Sequence, residues 1–397
     1  MYNQEMYQLG AKGSAIRELF EYGKKRKLEI GEDNVYDFSL GNPSVPSPEI
    51  VKKTLLELIN NVCETKLHGY TSASGDIEVK QAICDYLNEK YQANALSNLL
   101  YMTCGAAASL TISLKAILNQ DDEVIVFAPF FPEYKVFIEN ALGKIKVVGF
   151  EKDTFTPDFI DFKNKINEKT KCVIINSPNN PTGVVYNRSI ISQITNILNE
   201  KQREFSHNIY LISDEPYREL VYDKIEVPFI TKYYDNSIVC YSFSKSLSLP
   251  GERIGYILVS STSNNCDALF SSICGAGRSL GYVCAPSLFQ LMIPKCLGYT
   301  SDLEVYKENR DILYSELTNL GYDVVKPEGA FYLFVKALEN DAYQFSINAK
   351  KYELLLVPSD SFGCTGYVRI SYCVSKKQVV NSISAFRKLI EEYQNKH

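Results

Sequence analysis

Histidine is scarce: the 397 residues contain only three, His68, His207 and His397, and there is no tryptophan at all. A histidine-rich metal centre is thereby nearly excluded, and a Ser-His-Asp or Cys-His device has two internal positions to draw on. Charge of one sign is not in excess. Lys+Arg 42 against Asp+Glu 47 leaves a formal net charge of −5, which gives no electrostatic reason to expect nucleic acid or an anionic membrane as partner. No apolar run approaches the ~20 residues of a membrane helix. The opening Met-Tyr-Asn-Gln-Glu-Met has neither the basic nor the apolar region of a secretory signal. Although there are 11 cysteines, none forms a C-x-x-C pair, and several sit in apolar runs such as Lys171-Cys-Val-Ile-Ile. Reduced thiols in a cytoplasmic protein are therefore expected rather than disulfides. An enzyme with these absences needs a proton carrier other than histidine.

What is present is an ordinary globular composition, 45% apolar and 22% charged, without linker, repeat or low-complexity block. Residues 14–29 carry a helical apolar spacing. Ser47-Pro48-Glu49 resembles a helix start with a capping Ser and Pro at the first helical position, opening a helix over 50–59. A further helix is expected over 76–90. From about residue 99, short apolar runs (123–127, 171–175, 208–212, 237–241) alternate with helical segments (105–118, 132–141, 188–204). Uninterrupted apolar strands separated by helices indicate an α/β protein whose mostly parallel sheet is covered by helices on both faces. The last third differs. Helices around 282–298 and 302–320 precede Gly321-Tyr-Asp-Val-Val and Phe331-Tyr-Leu-Phe-Val, read as a shorter sheet, and a closing helix starts near 376. The expectation is a large cofactor-binding domain at 46–290 and a smaller α+β domain built from both termini, 1–45 and 291–397.

Open α/β sheets bind ligands at the carboxyl ends of their strands, and four segments lie there. Thr103-Cys-Gly105-Ala106-Ala107-Ala-Ser109 is a small-residue turn into a helix whose bare amides suit an anion; close packing asks for the same residues. Asn176-Ser-Pro-Asn-Asn180-Pro-Thr-Gly183 offers amide donors on a stiff loop, or simple turn chemistry. Ser213-Asp214-Glu215-Pro-Tyr217 puts a carboxylate at a strand end, where it either caps a loop or faces a cationic heterocycle. Ser242-Phe-Ser-Lys245-Ser, with Arg253 shortly after, places a lysine in an apolar setting. Burial would make that amine a usable nucleophile or base, whereas most lysines are solvated surface charges. One cofactor has needs that match all of these groups. Pyridoxal 5′-phosphate carries a phosphate for the helix start, Ser and Arg, a ring nitrogen for Asp, a phenolate oxygen for Tyr and Asn, and an aldehyde for Lys.

The order of motifs resembles the class I/II, aspartate-aminotransferase-like branch of fold-type-I pyridoxal-phosphate enzymes, from about Ser39 to Arg369. Leu40-Gly41-Asn42-Pro43-Ser-Val-Pro46 is similar to the opening G-x-P-x-x-P, and His68-Gly-Tyr70-Thr-Ser-Ala-Ser-Gly75 has the Tyr-to-Gly spacing. Gly105-Ala-Ala, Pro129-Phe-Phe131-Pro-Glu-Tyr134, Asn180-Pro-Thr-Gly, Asp214-x-x-Tyr217, Ser242-x-x-Lys245 with Arg253, and Val368-Arg369-Ile370 follow in the family's order. The resemblance implies that Lys245 bonds to the cofactor aldehyde and carries the proton, that Asp214 keeps the ring nitrogen protonated, and that Tyr217 and Asn180 bond the ring oxygen. Gly105, Ala106, Ala107, Ser242 and Arg253 would hold the phosphate, and Phe131 would stack on the ring in a chain that has no tryptophan. Arg369, helped by Gly41 and Asn180, would bind the substrate α-carboxylate. Tyr70 matches a residue that reaches the neighbouring subunit's phosphate, which implies a homodimer with shared sites.

The activity implied is transamination between an α-amino acid and a 2-oxo acid by a ping-pong mechanism, with no metal, nucleic acid or membrane involved. A carbon–sulfur lyase or decarboxylase would share the same cofactor residues. A non-catalytic ligand-binding regulator on this fold would need an added DNA-binding segment, and Lys24-Lys-Arg-Lys27 reads more simply as the solvated end of a helix. Arg278 stands at about the offset where some relatives place an arginine for a distal substrate carboxylate; a helix-terminal arginine is the alternative. His68 is read as a packing residue near Tyr70.

Overall fold

The computed structural model describes residues 2–11, 13 and 15–395. They separate into two compact units. The larger comprises Val45–Asn179 and Val184–Asp302; the smaller comprises the residues up to Ser44, Asn180–Gly183, and the residues from Leu303 on. The expected boundary after residue 290 falls inside the helix Ser287–Cys296, which packs on Glu49–Asn61 within the larger unit.

The larger unit is built on seven strands: β1 (Leu100–Thr103), β2 (Glu123–Phe127), β3 (Lys144–Val148), β4 (Thr170–Asn176), β5 (Tyr210–Asp214), β6 (Ser237–Ser242) and β7 (Gly255–Val259). Their order across the sheet is β1-β7-β6-β5-β4-β2-β3, with β7 antiparallel to both neighbours and the rest parallel. The expected α/β fold class holds. Strands buried along their whole length, such as Glu123–Phe127 and Ser237–Ser242, are those whose sequences read as unbroken apolar or small-residue runs, as helices on both faces require. Edge strand β3 instead alternates, with Lys144 and Lys146 turned outward. The helix Ala106–Ile117 packs over β6 and β7 and joins Leu110, Ile112 and Leu114 to the main core.

Several boundaries differ from expectation for identifiable reasons. The helix expected to start at Pro48 starts at Glu49, with Pro48 in the flanking position and no side-chain cap. Strand β5 runs 210–214 rather than 208–212: it starts late because the Ile209 N–H donates to Gln202 Oε1 and its carbonyl accepts from Tyr234 Oη, and it extends because Asp214 pairs with Asn176 and Cys240. Asp214 is thus the last residue of a strand, not the first of a loop. Strands β3 and β7, neither expected from the sequence, complete the sheet.

In the smaller unit β8 (Tyr332–Lys336), β9 (Val357–Pro358) and β10 (Tyr367–Ser371) form an antiparallel sheet with β10 central, and 36–37 pairs with 354–355 in parallel. The expected partner of β8, residues 321–325, contributes only one bridge, Val324 to Val335; β10 takes the pairing over five residues. The helices Leu303–Leu320 and Lys376–Gln394 pack together in this unit. The basic run 24–27 ends the helix Ala15–Ile30, and Arg26 bridges it to Glu353 at 2.6 Å. Among the described residues no helix is long and apolar enough to cross a membrane.

Candidate active site

Four parallel strands of the larger unit end on polar residues: Thr103 on β1, Asn176 on β4, Asp214 on β5 and Ser242 on β6. In register, Asn176 stands opposite Asp214, and Gly255 stands opposite both Thr103 and Ser242. The sheet therefore presents its polar groups along one edge, where a parallel sheet takes ligands.

At the Thr103 end, Gly105 has φ +87° and precedes the helix Ala106–Ile117 without a side-chain cap. The first amides of that helix have no partner within it and point along its axis. The positive φ at Gly105 favours glycine, and a Cβ there would come within 2.7 Å of Arg253 Nη2 and displace the guanidinium. Arg253 Nη1 donates to Ser244 Oγ at 3.4 Å and to the Pro250 carbonyl at 2.9 Å. Ser244 N donates to Ser242 Oγ, and the two hydroxyls share a hydrogen bond at 2.7 Å. Helix amides, two hydroxyls and a guanidinium make a donor set for a phosphate. The sequence marks Ser244 only as one of the serines flanking Lys245, without a role of its own.

Asp214 is 5% exposed. Its Oδ2 accepts from Tyr134 Oη at 2.5 Å, its carbonyl accepts from Asn176 Nδ2 at 2.9 Å, and its Oδ1 is buried with no hydrogen-bond partner among the described residues. Burial pushes its carboxyl up to about 7, against the lowering effect of the Tyr134 hydrogen bond, and Glu215 adds to the rise. Glu215 itself is engaged elsewhere, accepting from Ser213 Oγ at 2.7 Å and Arg218 Nε at 2.5 Å. A buried acceptor with an unmet oxygen fits a cationic N–H donor, which would return the carboxylate to its charged form. The residues fit a pyridine nitrogen. The sequence motif assigns Tyr134 no role; it sits three residues beyond the half-buried Phe131, whose ring meets it edge-on at 5.7 Å.

Tyr217 is buried three residues beyond Asp214, in a turn closed by Leu220 N donating to the Tyr217 carbonyl. Lys245 does not sit at a strand terminus. It lies in a one-turn helix, Phe243–Ser246, capped at its start by Ser242 Oγ, and its side chain is half-buried.

The smaller unit gathers a second set of groups around Arg369, which is 2% exposed at the centre of β10. Its Nη1 donates to Asn180 Oδ1 at 3.0 Å and its Nη2 to the Ser39 carbonyl at 2.6 Å. The guanidinium lies over Tyr332, 4.7 Å from the ring centre, and Phe362, 5.3 Å. A Cβ on Gly41 would overlap the Tyr332 hydroxyl. Asn180 sits with this unit although its sequence neighbours belong to the other: Gly183's carbonyl accepts from Glu328 N and Gly329 N. Ser39, Tyr332 and Phe362 were not anticipated. A neutral setting with planar walls suits a guanidinium that binds a carboxylate through a two-pronged fork.

Tyr70 and Arg278 join neither cluster. Tyr70 is 98% exposed, and Arg278 is exposed in the last turn of the helix Cys266–Leu280. His68 is exposed at the end of the helix Glu64–His68. His207 is structural, its ring nitrogens 3.1 Å from the carbonyls of Asn208 and Glu168, and His397 lies outside the described residues. All 11 cysteines are free thiols.

Residues 33–386 match the aminotransferase class I and II family. The aspartate aminotransferase of Thermotoga maritima is 30% identical over 387 residues, covering 96% of this chain and 97% of that protein. The aspartate aminotransferase of Pyrococcus horikoshii is 28% identical over 390 residues, covering 96% and 95%. Among solved structures, an amino transferase from Eubacterium rectale is 53% identical and superposes with a TM-score of 0.97, covering 99% of each chain.

Proposed function

The chain belongs to the class I and II aminotransferases, and within that family we propose that it moves the amino group of an α-amino acid to a 2-oxo acid through Lys245. It is a transaminase, and its family uses pyridoxal phosphate. When bound, that cofactor supplies an electron sink for charge developing at the substrate Cα. Everything else in this reading is done by residues of the chain. Gly105, Ala106, Ala107, Ser242, Ser244 and Arg253 bind the phosphate. Asp214, held by Tyr134, keeps the ring nitrogen protonated. Tyr217 and Asn180 bond the ring oxygen, and Phe131 packs on the ring face. Arg369 binds the substrate α-carboxylate. Lys245 Nζ takes the proton from the Cα of the amino donor and, in the second half of the exchange, delivers a proton to the Cα of the acceptor.

The observation that carries the reading is the buried, half-satisfied Asp214 carboxyl at the end of β5, pushed up to about 7 and beside the strand that leads to Lys245. The names of the two aspartate aminotransferases above support a dicarboxylic donor; in this proposal Arg278 of a second copy of this chain is the cation for the distal carboxylate. The exposure of Tyr70 and Arg278 in the single chain supports a homodimer in which each side chain is completed by the partner. The test is a half-reaction screen. The purified holoenzyme is mixed with single amino acids, and conversion to the pyridoxamine form is followed by absorbance. Conversion with aspartate or glutamate is expected. Pyruvate and ammonia released from a cysteine-type substrate, with no such conversion, would overturn transamination in favour of elimination. Replacing Arg278 with Leu should weaken activity with dicarboxylic donors far more than with an apolar one; equal losses would remove Arg278 from substrate choice.

A further inference from the structure

The turn that carries Lys245 is too short to hold itself in place. Phe243–Ser246 is a single helical turn, and such a segment gains almost nothing from its own hydrogen bonds. Its N-terminal side is held by Ser242 Oγ. Its other side ends on Ser246, the residue next to Lys245, whose carbonyl accepts from Ser301 N at 2.8 Å and whose hydroxyl lies 3.0 Å from Tyr241 Oη. Tyr241 Oη in turn donates to Glu219 Oε2 at 2.9 Å. A phenol has one proton; with it committed to Glu219, Ser246 is the donor to Tyr241, and the order Ser246 to Tyr241 to Glu219 is set.

The middle member of this chain is itself rigid. Tyr241 and Tyr256 are register partners on β6 and β7, their rings stacked at 4.9 Å and 22°, and Phe243 meets Tyr241 edge-on at 5.0 Å. The Tyr241 and Ser246 side chains are buried. Glu219 sits five residues beyond Asp214 and two beyond Tyr217, on a segment pinned by the buried Glu215–Arg218 pair. Hydroxyl, phenol and carboxylate therefore connect the lysine's turn to the segment carrying Asp214 and Tyr217, through the interior of one unit.

We propose that Tyr241, with Glu219 and Ser246, is a positioning device that sets where Lys245 Nζ stands relative to the Asp214–Tyr217 segment. None of the three touches substrate or cofactor in this assignment. It rests on the reading of Lys245 as the catalytic lysine. An amine that must both take up and deliver the same proton needs one location, and misplacement by about 1 Å costs on the order of a hundredfold in rate.

Tyr241→Phe removes one oxygen from a ring otherwise held by stacking. In the holoenzyme it should lower kcat about tenfold or more with KM changed less than about threefold, and it should alter the visible absorbance of the bound cofactor. In the cofactor-free protein, amide hydrogen exchange over residues 243–248 should quicken about tenfold, a readout independent of activity. Ser246→Ala cuts the same chain at a smaller residue. The double variant should be no worse than either single one, because both remove one connection. Glu219→Gln, which keeps an acceptor oxygen, should retain several times the kcat of Glu219→Ala. Unchanged kcat and exchange in Tyr241→Phe, or defects that multiply in the double variant, would overturn the proposal. Lys245→Ala separates this from the underlying reading. If it still turns over repeatedly, the assignment of Lys245 falls. If it is inactive while Tyr241→Phe behaves as wild type, only the positioning device falls.

Discussion

At the scale of single residues, Asp214 shows how burial is turned into chemistry. Its carboxyl stands at about 7 in the folded chain, against about 3.9 for an unburied aspartate. Between those values the native chain holds a proton that the unfolded chain has lost. The contribution to stability is therefore fully present below about pH 4 and declines as pH rises to about 7, by up to about 1.4 kcal/mol per pH unit. Thermal unfolding of the cofactor-free protein should show that decline between pH 5 and 7, Asp214→Asn should flatten it, and so should saturation with pyridoxal phosphate. A slope identical in Asp214→Asn would assign it to other groups. Arg369 offers a second test. Arg369→Lys keeps the charge but loses the planar fork, and KM for the amino donor should rise about tenfold or more with a smaller change in kcat. Equal KM values would take Arg369 out of carboxylate binding. The identity of both residues was legible in the sequence. Their partners were not, because Tyr134 lies 80 positions from Asp214, and Asn180 and Ser39 lie 189 and 330 positions from Arg369.

At the scale of elements, local rules account for most of what is seen. The helix Arg188–Phe205 begins after Asn187, whose side chain accepts from Ser189 N and Ile190 N, and buries Ile191, Ile194 and Leu198 on one face. Asn187→Ala should cost about 1 kcal/mol in urea unfolding, without altering turnover; a loss of activity at unchanged stability would contradict a purely capping role. The same rules fail where a tertiary partner competes. Ile209 has the residue type for a strand but spends its amide on Gln202 and its carbonyl on Tyr234, so β5 starts two residues late. Pairing of Asp214 with Asn176 and Cys240 on the neighbouring strands is what makes it a strand terminus. Residues 321–325 have a strand-like pattern, yet the longer match between β8 and β10 takes the hydrogen bonds.

At the scale of the whole molecule, the proposed homodimer makes a prediction that a monomeric enzyme could not meet. If Tyr70 serves the partner's phosphate site, Tyr70→Ala and Lys245→Ala chains should each be impaired. Hybrids formed by coexpressing them should regain activity, since one of their two sites would combine Lys245 from one chain with Tyr70 from the other. No recovery in hybrids verified by mass would place Tyr70 outside the partner's site. By itself the sequence determined the alternation of apolar strands and helices, the α/β class, and which residue types stand at the strand ends. Each of those depends on neighbours a few positions apart, where side-chain period and turn chemistry act. The tertiary structure alone decided that the Asp214 carboxyl is half-satisfied and raised, that Asn180–Gly183 groups with the chain's terminal unit around Arg369, and that Lys245's turn is tied through Tyr241 to Glu219. Those features depend on desolvation and on hydrogen bonds between distant segments, which exist only once the chain has packed.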